Sequence, residues 1–240
     1  MASAEDGVAA SVHLLWHEPA VGRRGPRPKF TVEAIVAAAT AIADADGLDA
    51  VTMQRVAERL GTAKMALYRY VPGRAELDAV LLDRALGGPP ASPDTDWRTA
   101  LTAWTLALHE RALAHPWSVT LAQRPHVPGP GELAWYERGL EAMSELPLGG
   151  GEQLDLLALL AGHAQSMVRQ QADGPHPEQD LAAQLGPVLA ARSAEYPRTA
   201  AAFADAARES DRDAALRFGI DRLLAGVAAL IAERTDSDLA

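Results

Sequence analysis

Thr52-Met-Gln-Arg-Val-Ala-Glu-Arg-Leu-Gly61, followed by Thr62-Ala-Lys64-Met65-Ala66-Leu67-Tyr68-Arg69-Tyr70-Val71, reads as two short helices joined by a sharp turn. Thr52 suits an N-cap, because its hydroxyl accepts an orphan helix N–H, and Gly61 suits the left-handed position that ends a helix. Val56 and Leu60 form an apolar stripe, and Ala57 is small enough to let a second helix cross closely. Thr62 can cap that second helix, expected over 63–70, whose Leu67 and Val71 turn inward. Lys64, Met65, Ala66, Tyr68, Arg69 and Tyr70 remain on the outer face. Such a mixture suits a DNA major groove. Arg69 or Lys64 can donate to guanine, Ala66 or Met65 can meet a thymine methyl, and the tyrosine hydroxyls can reach phosphate. The other reading of this segment is an ordinary helical hairpin in which Tyr68 and Tyr70 are packing residues.

Upstream, Arg23-Arg24-Gly-Pro-Arg27-Pro-Lys29 holds four cations on a stretch that Pro and Gly keep from coiling. An extended cationic arm over 22–29, laid along a minor groove, is the expectation. Residues 1–21 are expected to be a flexible tail, or to dock through the apolar cluster Leu14-Leu15-Trp16.

The charge distribution supports a basic module on an acidic body. The 240-residue chain carries a net charge of −10, yet Gly22 to Arg74 holds nine Lys/Arg against five Asp/Glu. Hydrophobic residues make up 48 %, enough for a large core. No apolar run approaches the ~18 residues of a membrane span. Met1–Gly7 is acidic and lacks a cationic leader, and cysteine is absent, which excludes disulfides, thiolate metal sites and cysteine nucleophiles. A cytoplasmic protein is expected.

Strand patterns are missing, while Ala, Leu, Arg and Glu recur at helical spacing, so the fold class is all-α. Helices are expected over 31–46, 52–60, 63–70, 74–86, 96–114, 117–123, 131–145, 152–172, 178–194, 198–207 and 212–233. The helix-turn-helix module spans 30–86. A helical effector-binding and dimerisation domain spans 94–240. A single reading helix makes too few contacts for tight specific binding, so pairing is expected. Leu216, Ile220, Leu223, Val227 and Leu230, with Leu157, Ala161, Ala164 and Val168, repeat at alternating three- and four-residue spacing. These nine would form a four-helix seam between two subunits, or be buried inside one core. Trp104, Leu108, His109, Trp117, Trp135, His163 and Met167 are the candidates for an apolar effector pocket with a few polar groups.

The run Leu67-Tyr68-Arg69-Tyr70-Val71, after Thr52-x4-Ala57-x2-Leu60-Gly61 and before Arg74-x2-Leu77, resembles the DNA-binding domain of the tetracycline-repressor (TetR) family over residues 30–84. Phe218-Gly219-Ile220-Asp221-Arg222-Leu223-Leu224-Ala225-Gly226 resembles the last helix of that family's C-terminal domain. The resemblance implies that Gln54 reaches a base or phosphate, that Lys64, Met65, Ala66, Arg69 and Tyr70 stand at recognition-helix contact positions, and that Tyr68 meets phosphate. It places Arg74 near the backbone as well, and Thr52 and Thr62 are grouped with these contacts. It makes Trp104 and His163 the first candidates for pocket lining. The partners implied are a palindromic double-stranded operator, a second copy of the chain and a small effector. The chain lacks counterparts of the histidine and acidic groups that hold metal-chelated tetracycline, and Arg169-Gln170-Gln171 brings no carboxylate there. A large aromatic, polyketide-like effector is expected instead.

Two other classes compete: an enzyme, and a helical ligand-binding protein without DNA. A di-metal helical bundle needs Glu-x-x-His pairs, and none of the seven histidines has Glu three residues before it. His13 and His17 have metal-like spacing but fall in the expected tail. Neither a phosphate-binding glycine loop nor a nucleophile elbow occurs. No cofactor and no metal are expected.

Overall fold

The computed structural model describes residues 2–17, 31–91, 96–172, 177–206 and 213–238. Among them the chain is helical, without a strand. The first unit, Met1–Glu145, contains α1 (Ala2–Trp16), α2 (Val32–Asp46), α3 (Met53–Arg59), α4 (Lys64–Leu67), α5 (Arg74–Leu86), α6 (Trp97–Ala114), α7 (Trp117–Ala122) and α8 (Pro130–Glu141). The second, Leu146–Ala240, contains α9 (Gly150–Ala172), α10 (Pro177–Ala191), α11 (Pro197–Ala206) and α12 (Ala214–Asp238). All eleven expected helices are present, and α4, at four residues, is shorter than its expected 63–70.

In the first unit the core is built on α2, whose Ile35, Ala39, Ile42 and Ala43 recur at helical spacing and are buried. Thr31 caps this helix, accepting from Ala34 N at 3.2 Å, and Gly47 ends it at φ +82°. Leu77 and Leu81 of α5 and Val56 and Ala57 of α3 close the same core.

One expectation is corrected here. The segment 1–21, expected to be a flexible tail, instead holds α1, which lies against α5. Leu14 and Leu15 pack onto the core, and the Trp16 indole donates to the Pro128 carbonyl at 3.1 Å, so the apolar cluster has a partner. The chain divides into compact units at 145/146, so α6 to α8 share a unit with the helix-turn-helix. Trp117 and Leu121 of α7 are buried in the core with α2 and α5, and the Trp117 indole donates to Asp44 Oδ1 at 2.7 Å. That burial ties the helices after residue 94 to the helix-turn-helix.

In the second unit α9 packs on α12, and α10 on α11. His163 Nε2 donates to the Leu216 carbonyl at 3.1 Å. The crossing is tight: a Cβ at Gly219 would lie 2.1 Å from that same nitrogen, so any larger residue there displaces the His163 ring. Arg234 binds Glu152 through two nitrogens, at 2.5 and 2.9 Å.

Candidate nucleic-acid interface

The turn between α3 and α4 forms because its backbone groups find partners locally. Thr52 Oγ1 accepts from Arg55 N at 3.1 Å and opens α3. At its end Thr62 N reaches back to Ala57 O at 3.0 Å, with Gly61 at φ +63° between them. A Cβ at Gly61 would meet nothing within 4 Å, so the requirement for glycine is one of backbone conformation. Thr62, expected to cap α4, does not: Ala63 holds the cap position without a side-chain bond, and Thr62 is half-buried.

Leu67 and Val71 are fully buried and anchor α4 in the core. Lys64 and Arg69 point to solvent, and Met65 is 73 % exposed. Ala66 is half-buried, while Tyr68 and Tyr70 are half-buried with their rings against the core. Lys64 Nζ sits 5.7 Å from the Tyr68 ring centre, a cation–π contact that orients the ammonium along the face. Gln54 Nε2 donates to Glu58 Oε1 at 2.7 Å on exposed α3. Helix α3 holds two cations outside the expected set: Arg55, paired with Asp46 at 2.5 Å, and Arg59, exposed in its last turn. The excess of positive charge between Gly22 and Arg74 already contained them. Arg23, Arg24, Arg27 and Lys29 lie outside the described residues.

The Arg74 guanidinium, expected beside phosphate, donates to the Val51 carbonyl, to the Leu48 carbonyl at 3.1 Å and to Asp78 at 2.6 Å. These bonds brace the loop leading into α3 and engage three of its five N–H donors.

The candidate effector residues divide between the units. Trp104, Leu108 and His109 are buried along α6. Trp104 Nε1 donates to the Trp135 carbonyl at 2.9 Å, and the two rings meet edge-on at 5.7 Å. Trp135 Nε1 in turn donates to the Gly87 carbonyl at 3.1 Å, at the end of α5. Trp117 belongs to the helix-turn-helix core rather than to a pocket wall. On α9, His163 is joined to Leu216 and Met167 is half-buried.

The expected subunit seam is corrected in part. Leu157, Ala164, Val168, Leu216 and Ile220 are already buried within one chain, so their apolar surface is satisfied without a partner. Ala161, Leu223, Val227 and Leu230 are half-buried, and Leu154, Leu159 and Phe218 stand exposed on the same two helices. Among the described residues, no helix is long and apolar enough to cross a membrane, and no group of three or more metal-ligating side chains occurs.

Comparison with known proteins agrees with this architecture. Residues 35–78 match the family model "Bacterial regulatory proteins, tetR family", and residues 89–231 match "Tetracyclin repressor-like, C-terminal domain". The chain is 34 % identical to the HTH-type transcriptional repressor DrrR1 of Streptomyces coeruleorubidus, over 97 % of this chain and 90 % of that protein. It is 28 % identical to an HTH-type transcriptional regulator of Saccharopolyspora erythraea, over 95 % of each. Among solved structures, ActR of Streptomyces coelicolor in complex with actinorhodin superposes with a TM-score of 0.75 at 25 % identity, over 85 % of this chain and 98 % of that one.

Proposed function

The chain belongs to the TetR family of bacterial regulatory proteins, and we propose that it represses transcription by gripping a palindromic operator as a homodimer in the cytoplasm. One observation carries this reading: α4 is anchored by buried Leu67 and Val71 while Lys64, Met65 and Arg69 face solvent. Arg69 and Lys64 then donate to base edges, Met65 and Ala66 offer apolar contact, and Tyr68 and Tyr70 position the helix against phosphate. Gln54, Thr52 and Thr62 flank that surface. The arm Arg23, Arg24, Arg27 and Lys29 adds phosphate neutralisation.

Two reading helices about 34 Å apart match half-sites one turn apart on DNA. Leu223, Val227 and Leu230, extended by exposed Leu159 and Phe218, supply the surface for the second copy. A large aromatic, polyketide-like effector releases the operator by favouring a conformation that spreads the reading helices. Buried Trp104 and Trp135 support an aromatic ligand, and ActR, solved with actinorhodin, is a similar protein.

Titration of DNA upstream of the protein's own gene, read by fluorescence anisotropy, tests the reading. Native protein should bind with an affinity that falls steeply from 50 to 200 mM salt, and Arg69→Ala should lose about 1–3 kcal/mol. Binding that Arg69→Ala leaves unchanged removes the reading role from α4. Sedimentation of the free protein as a monomer at every concentration overturns the dimer.

A further inference from the structure

The first unit contains a cavity of about 530 Å³ bounded by Val8 and Ser11 of α1, Ala79 and Leu82 of α5, Leu121 of α7 and Val127 beyond it. That volume suits a molecule of drug size. Four ionisable side chains also line it, and three have partners. Asp78 takes Arg74 at 2.6 Å and Arg124 at 3.6 Å, and His126 Nε2 meets Glu132 at 2.9 Å.

Glu76 is the exception. It is only 8 % exposed, faces the cavity, and makes no hydrogen bond or ion pair with any described residue. The sequence keeps room for it: a Cβ at Gly73 would lie 2.7 Å from Glu76 Oε2, and one at Gly7 would lie 3.5 Å from Oε1. Glu76 stands in the first turn of α5, where the helix N-terminus favours its negative charge, and that charge is left for a cation entering the cavity.

We infer that this cavity is a second small-molecule site, selective for an apolar compound carrying an ammonium group, whose cation meets Glu76. The apolar walls take the body of the molecule, and Ser11 offers a hydroxyl beside the head group. The ion pairs of Asp78 and His126 leave the Glu76 charge as the one to be matched. The site is separate from the DNA-facing side chains of α4 and from the Trp104–Trp135 pair. Its failure would therefore leave the operator reading untouched, and operator binding is measured without the amine.

The test uses the full chain without DNA at pH 7, with 9-(aminomethyl)anthracene and the neutral, shape-matched 9-anthracenemethanol as probes. Fluorescence titration should show the amine bound about tenfold to a hundredfold more tightly than the alcohol. Glu76→Gln, nearly isosteric, should erase the difference between the two. Ala79→Leu, which fills the cavity, should weaken both. Should that variant fail to fold, Val8→Trp at the exposed rim does the same without touching the core. Equal affinity of the two probes for the native chain overturns the inference. So does an amine preference that survives Glu76→Gln, or one that is lost only in Trp104→Ala.

Discussion

The indole nitrogen of Trp104, on α6, donates to the main-chain carbonyl of Trp135, on α8, at 2.9 Å. Because Trp135 passes its own N–H to Gly87 O at 3.1 Å, two rings connect the body's candidate effector residue to the end of α5. Trp104→Phe keeps an aromatic ring but removes the N–H that ties α6 to α8, and should cost about 0.5–1.5 kcal/mol in urea unfolding. The same variant should shift the effector concentration needed to release operator DNA, and an unchanged release curve would separate the indole from regulation.

Arg74→Ala distinguishes a brace from a phosphate contact. With Val51 and Leu48 carbonyls losing their donor, stability should fall by about 1–3 kcal/mol. The slope of log affinity against log salt should stay that of native protein, since no phosphate contact is lost. A slope shallower by about one would return Arg74 to the DNA surface.

Gly61→Ala meets no atom within 4 Å, so any loss comes from the backbone at φ +63°. Forcing a side chain into the left-handed region should cost about 1–2 kcal/mol. Chemical denaturation would detect it, and an unchanged midpoint would show that the turn relaxes.

Acid should loosen the Arg234–Glu152 tie between α12 and α9 only below the pH at which ordinary carboxylates are neutralised. Hydrogen bonds from Arg234 and from Gly149 N hold the Glu152 carboxyl down at about 2, against an ordinary 4.5. A group depressed in the folded state stabilises above its unfolded value, and that contribution disappears as pH falls from 4.5 towards 2. Glu152→Gln should therefore melt lower than native at pH 6 and converge with it near pH 2.

His126 behaves oppositely. Burial pulls its imidazole down, but the Arg124 carbonyl and Glu132 carboxylate outweigh this and raise it above 6.5. Its stabilising charge is complete below pH 6.5 and lost as pH rises through the folded value. Thermal melts of His126→Gln should differ from native more at pH 5.5 than at pH 8.5.

The helix-turn-helix was legible because local rules fix it: Thr52 caps, Gly61 turns, and Leu67 and Val71 repeat at helical spacing. The partners of Arg74 within the chain were not legible, because they depend on which carbonyls the fold brings within reach, and Leu48 and Val51 lie more than twenty residues away. The packing of Trp117 was not legible for the same reason, since its slot is made by Asp44 and the core of α2 and α5. Periodicity marked Leu157, Leu216 and Ile220 as apolar, but it carries no sign of whether the covering surface belongs to the same chain. Docking of α1 rests on Pro128, far along the sequence from Trp16.

The seat of Trp117 and Leu121 sets where this regulator can be cut and rejoined. A fragment ending in the Gly87–Pro93 break would carry the reading helices away with an open notch where an indole and an isobutyl group belong, and should be prone to unfolding and aggregation. Chimeras that transplant the sensor of another regulator onto this reader should therefore bring a counterpart of Trp117 and Leu121 to fill that notch.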